Sequence, residues 1–289
     1  MSQFLINPYS LAKDWLLDTY TGAAGAYAVR RLSGSYAGAC LRVRRSNDNA
    51  EQDIGFDAGG NLDEAQLTAF VGANNGFVTT WYDQSGNARN ATQTTSGNQP
   101  RIVNSGTVDK EGANPALTFN GTSQFFDADS LASTVTGEDK PLTMFATVKP
   151  ANSNVVKQTL AFGNSASANG RIDTLRFENT AKYYGLIRDN ANTQINVISA
   201  GSYSANVRYL ATVRTSGLSY QIFSNGSSVA SGSYNIGTIT LNLAKIGRAR
   251  SLSQEFWNGT MSEMVLYASD QSANRSAIET DINGYYSIY

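Results

Sequence analysis

Residues 77–82 alternate strictly, with Phe77, Thr79 and Trp81 pointing one way and Val78, Thr80 and Tyr82 the other. A period of two with large side chains in both sets is the pattern of a strand covered on both faces. The strand stops at Asp83-Gln84-Ser85-Gly86-Asn87. Asp83 and Ser85 carry oxygens that accept hydrogen bonds from nearby backbone N–H groups, and Gly86 and Asn87 tolerate positive φ, so the turn is specified chemically.

The rest of the chain agrees with β structure. In 289 residues there are 26 Gly, 5 Pro, 15 Tyr and 12 Phe, a composition of short strands joined by polar turns. The length suits one all-β unit plus a short arm. With 22 basic and 23 acidic residues the net charge is −1, which suggests no nucleic-acid partner. There is no histidine and one cysteine, Cys40, which excludes an internal disulfide, Ser-His-Asp and Cys-His machinery and the usual zinc sites. Carboxylates remain as the only catalytic pair. The N-terminus shows no export signal and no stretch approaches a membrane span, so a protein made in the cytoplasm without membrane insertion is expected.

Residues 1–10 contain the apolar run Phe4, Leu5, Ile6 and, after Pro8, Tyr9, which reads as an assembly arm docking on a neighbour, with an ordinary terminal strand as the alternative. A helix is predicted from Ser10, and residues 26–32 read as a second helical piece. A further helix over residues 61–71 is capped by Asn61 or Asp63 and ended by Gly72. Residues 142–149 alternate as a half-buried strand. Residues 209–230, with Asn225-Gly226, predict a three-stranded meander. A C-terminal helix after Ser272 carries an apolar stripe of Ile278, Ile282, Tyr285 and Tyr289. Trp81, Phe119, Met144, Val213 and Leu266 are expected in the core.

The run Trp81-Tyr82-Asp83-Gln84-Ser85-Gly86-Asn87-Ala88-Arg89-Asn90-Ala91-Thr92-Gln93 resembles the W/I-Y-D-Q-S-G-N-G-x-x-A/L-T-Q signature of the arabinofuranosidase-B-like catalytic domain. Residues 256–267 resemble the F-x-G-x-I-x-E-x-x-x-Y strand that ends many laminin-G-like domains. The resemblance implies an all-β, concanavalin A-like (laminin-G-like) antiparallel sandwich over residues 11–289, with a few short helices and a C-terminal helix. That domain also occurs in bacteriophage virion proteins.

The family hydrolyses terminal α-L-arabinofuranosides with retention, which needs two carboxyl groups about 5–5.5 Å apart. Its acid follows an I-G-G-D element, where this chain has Ile246-Gly247-Arg248-Ala249. Its nucleophilic glutamate aligns with residues 184–192, where Asp189 is the only acid. Its vicinal cysteine pair has no counterpart near residues 160–164. These departures predict a fold kept without its reaction. The expected protein is a non-catalytic virion component, a tail or fibre adhesin or capsid decoration subunit. Its expected partners are other virion proteins, further copies of itself and host-surface glycans. Tyr183, Tyr184, Asp189, Arg248 and Trp257, with Tyr203 and Tyr234, are candidates for a glycan platform. The first alternative is a retaining arabinofuranosidase drawing its acids from Glu178, Asp189 or Glu255. The second is a bacterial surface lectin. Asp127 and Asp129 near Asn120 are too generically spaced for a calcium motif, and no metal or cofactor is expected.

Overall fold

A computed structural model describes residues 14–216, 218–233, 235–250 and 254–289. The closing strand Asn258–Tyr267 organises one sheet. It pairs antiparallel with Leu142–Pro150 on one side, and on the other with Ala23–Ala28 and Leu117–Asn120. Beyond Leu142–Pro150 runs the predicted meander Tyr209–Ser216, Ser219–Ser224 and Ser227–Ser233. Its second turn places Asn225 at φ 50° and Gly226 at φ 76°, the two left-handed residues that a tight hairpin needs.

A second antiparallel array runs from Gln194–Ser202 through Lys182–Arg188, Ser167–Phe177 and Leu160–Asn164 to Leu243–Ile246 and Phe126–Asp127. The short strand Ala91–Thr92 joins it to Gly76–Trp81, which also pairs with Leu41–Arg45. The two layers touch where the Tyr220 hydroxyl donates to the carbonyl of Thr174. Its ring lies against Gly185, where a Cβ would stand 2.3 Å from the Tyr220 oxygen, so only glycine permits that approach. The result is a concanavalin A-like antiparallel β-sandwich. Its buried apolar side chains form a continuous cluster, and Trp81, Phe119, Met144, Val213 and Leu266 are all at most 1% exposed.

Three expectations change. Residues 26–32 do not form a helix: Ala23–Ala28 is a strand buried on both faces. Alanine's helical preference, a fraction of a kcal/mol per residue, gives way to pairing with the closing strand. Leu142–Pro150 is buried on both faces rather than one, and Tyr209–Ser216 and the closing strand flank it in the middle of its sheet. The C-terminal helix is Arg275–Tyr286, beginning after Asn274 instead of Ser272, whose hydroxyl donates to Asp270. Ile278 and Ile282 are buried as expected, each contributing about 1.5–3 kcal/mol. Tyr289 is 54% exposed because the helix ends at a left-handed Ser287, and Tyr286 takes its place in the core.

The helix Glu64–Val71 conforms to prediction, with Asp63 Oδ1 accepting from the Gln66 N–H at 2.9 Å and Gly72 ending it. Among the described residues no helix is long and apolar enough to cross a membrane. The arm residues Phe4, Leu5, Ile6 and Tyr9 lie outside the described residues.

Candidate active site

The signature turn is a clamp on the fold. Asp83 Oδ1 accepts from the backbone N–H of Ala26 and Ser85, and its Oδ2 accepts from the Ser85 hydroxyl and the Arg89 N–H. Gln84 accepts from the Leu32 N–H and donates to the carbonyls of Ala28 and Arg30. Asn87 donates to the Ala23 carbonyl, and Gly86 supplies φ 87°. Trp81 is buried between Tyr27 and Phe126, and the Tyr82 hydroxyl donates to Asp53. The most specific motif in the sequence thus ties Ala23–Ala28, together with Arg30 and Leu32, to the end of Gly76–Trp81.

A group of acids gathers elsewhere, on one face of the strand Ser167–Phe177. That strand pairs in regular register with Lys182–Arg188 at Arg171↔Arg188, Ile172↔Ile187 and Asp173↔Leu186, then slips so that Arg176 faces Tyr184. Thr174 and Leu175 oppose the single Gly185, which is a β-bulge, and such bulges re-aim side chains. Here the bulge puts Arg176 on the same face as Arg171 and Asp173. Its guanidinium lies 4.2 Å from the centroid of the Tyr184 ring.

Arg176 gathers three carboxylates. Its Nη1 stands 3.8 Å from Asp173 Oδ2 and 3.5 Å from Glu255 Oε1, and Glu178 takes its Nε and Nη2. Since Asp173 and Glu255 share one nitrogen, their oxygens are at most about 7.3 Å apart, the two contacts laid end to end. That limit admits the spacing of about 5–5.5 Å used by retaining glycosidases. Arg171 also pairs with Asp173. The Asp173 side chain is 2% exposed and that of Glu255 19%.

Glu255 is held from beneath. Gln158 donates its side-chain amide to Glu255 Oε2 at 3.2 Å and its backbone N–H to the Glu255 carbonyl at 2.9 Å. The residue sits at φ 56°, a left-handed conformation that a glutamate rarely adopts. Burial pushes its carboxyl above the ordinary range, and the nearby Asp173 charge works in the same direction; Arg176 opposes both. A carboxyl group so placed can keep its proton and give it up to a leaving group.

Of the side chains expected to form a glycan platform, only Tyr184 belongs to this group. Tyr183, Tyr203 and Trp257 pack round Phe177, with ring centroids 5.2, 4.8 and 5.1 Å from it, and are at most 2% exposed. They form core and cannot stack on a sugar. Tyr234 lies outside the described residues. Asp189 closes a turn: its oxygens accept the N–H groups of Thr193 and Gly237, both at 2.8 Å, and these bonds hold its carboxyl below the ordinary range despite the opposing effect of burial. It is therefore a turn anchor and no substitute for the family's nucleophile. Arg248 lies over the Phe125 ring at 4.0 Å, beside Asp127 and Asp129. Lys245 pairs with both of those aspartates. Glu178 and Glu255, named as alternative acids, do come together. Asp173 was missed, although the run Arg171-x-Asp173-x-x-Arg176-x-Glu178, four charges of alternating sign within eight residues, is a visible signal.

Fold and site define a concanavalin A-like sandwich bearing a carboxylate pair on one sheet face. Residues 18–128 match the family model of the α-L-arabinofuranosidase B catalytic domain, a match that ends before Asp173. The fold is shared with solved GH54 α-L-arabinofuranosidases. One, soaked with a cyclic sulfate inhibitor, is 16% identical at a TM-score of 0.64. A mutant soaked with 4-nitrophenyl α-L-arabinofuranoside is 16% identical at 0.66. An arabinofuranosidase complexed with arabinofuranosyl-α-1,2-xylobiose is 15% identical at 0.61. Each covers 92% of this chain, while this chain spans 64% of theirs. No curated protein sequence matches at a significant level. The expectation of a non-catalytic virion protein is corrected by these findings: the matched family model and the shared arabinofuranosidase fold back the arabinofuranosidase alternative better than a virion role.

Proposed function

We propose that the chain is a glycoside hydrolase of α-L-arabinofuranosidase type, with Glu255 as general acid/base and Asp173 as nucleophile. The observation that carries this reading is the suspension of both carboxylates on Arg176 Nη1, with Glu255 raised toward its protonated form. A sugar entering between them displaces the guanidinium, which stays bound to Glu178 and stacked on Tyr184. Asp173 attacks the anomeric carbon as the proton of Glu255 passes to the departing glycosidic oxygen. Glu255, now ionised, takes a proton from water, whose oxygen releases the sugar from Asp173. The matched family model and the shared fold support the arabinofuranoside as the glycone.

The test is hydrolysis of 4-nitrophenyl α-L-arabinofuranoside and of an arabinan, whose leaving group is poor. Asp173→Asn should lower turnover of both by at least about 10³-fold. Glu255→Gln should do the same on arabinan but cost the nitrophenyl substrate less, because nitrophenolate leaves without a proton. Absence of turnover in the unaltered chain, or turnover that survives both substitutions, would overturn the assignment.

A further inference from the structure

Three arginines lie side by side next to the carboxylate pair. Arg171 and Arg188 are direct cross-strand partners, an arrangement in which like charges destabilise a sheet. On the other side Arg171 faces Gly163, and Arg250 lies across that glycine. A Cβ at position 163 would stand 2.4 Å from Arg250 Cδ, so the missing side chain is what lets the third arginine join the row.

The row is short of anions. Arg250 donates to the carbonyls of Ser167 and Ala168, and Arg188 donates to Gln194. Among the described residues, Asp173 is the only carboxylate in ion-pair contact with any of the three. The residues outside that set contain neither aspartate nor glutamate. The Nε atoms of Arg171 and Arg250 are buried without a hydrogen-bond partner, and Arg250 as a whole is 8% exposed. Unpaired buried guanidinium nitrogens are costly, and a bidentate oxyanion is the group that satisfies them best.

We propose that Arg250, Arg171 and Arg188 form a subsite for an oxyanion borne by the sugar next to the scissile bond, so that the substrate is an acidic glycan. This rests on the hydrolase reading, because Arg171 touches Asp173 and places the oxyanion within one sugar of the reacting carbon. A carboxylate on a uronic acid and a sulfate ester share the chemistry required.

The experiment uses the full chain carrying Glu255→Gln, titrated calorimetrically with glucuronosyl-xylose, sulfated xylobiose and neutral xylobiose. At least one acidic sugar should bind about tenfold or more tightly than xylobiose, with an advantage that shrinks as salt is added. The tighter acidic arm identifies the oxyanion. Adding Arg188→Gln should abolish the advantage yet raise the melting temperature, since it relieves the cross-strand repulsion. Arg188→Lys should keep part of the advantage. Binding of acidic and neutral sugars within about twofold, or an advantage unchanged by Arg188→Gln in a folded protein, would overturn the subsite. Loss of turnover in the unaltered chain with acid binding retained would instead overturn the hydrolase reading and leave the subsite standing.

Discussion

Two networks of arginine and carboxylate occupy this sandwich, and they differ in how completely they are paired. Beneath the C-terminal helix, Arg30 grips Glu263 through Nε at 2.7 Å and Nη2 at 3.0 Å, and reaches Asp281 at 2.7 Å. The rings of Tyr285 and Tyr286 flank its guanidinium at 5.0 and 6.0 Å. Burial works against that charge, but Glu263 and Asp281 outweigh it and hold Arg30 above the ordinary guanidinium range. The second network, around Arg176, has a carboxyl pushed toward protonation, longer contacts from Arg176 to Asp173 and Glu255, and buried Nε atoms without partners on the neighbouring Arg171 and Arg250. A saturated cluster fastens elements together, whereas an unsaturated one beside solvent is poised to take a ligand.

The difference can be broken from the tight side first. Glu263→Ala should cost about 3–5 kcal/mol of stability by leaving Arg30 buried with a single, partly exposed carboxylate. Denaturant unfolding measures it, and turnover of the protein that remains folded should be unaffected. Ile282→Ala, which removes packing under the same helix, should cost about 2–5 kcal/mol by the same measurement. On the loose side the stability effects should be small. Glu255→Gln should raise the melting temperature at neutral pH and leave it unchanged in acid. The raised carboxyl sets the sign: its stabilising contribution is present below the unfolded-state value and is lost as pH climbs through the folded one. A variant that is less stable than its parent at neutral pH would show Glu255 to be a structural anion instead.

The features that the sequence disclosed obey local rules. The strand Gly76–Trp81 and the meander with its Asn225-Gly226 turn show alternation or a turn with one stereochemical solution, while the closing strand was legible through its resemblance to the last strand of laminin-G-like domains. Ala23–Ala28 was hidden because its strand character comes from Asn258–Tyr267, far along the chain, and from the hydrogen bonds of Asp83 and Gln84. The site was hidden for a related reason. Asp173 and Glu255 meet only through tertiary structure, and period-two alternation would put Asp173 and Arg176 on opposite faces, so that only the bulge brings them to a common one. Family positions misled as well, since Asp189 aligns loosely with the nucleophile yet serves a turn.

The extra residue in Ser167–Phe177 is also a spare one. Excising either Thr174 or Leu175 would leave a single residue opposite Gly185, keep Arg176 across from Tyr184 and Phe177 across from Tyr183, and so preserve both faces of the strand. What such a deletion removes is the local twist that the bulge adds, and with it the aim of Asp173 and Arg176 toward Glu255. Descendants of this chain can thus lose one residue here and keep the core around Phe177 while loosening the reactive face.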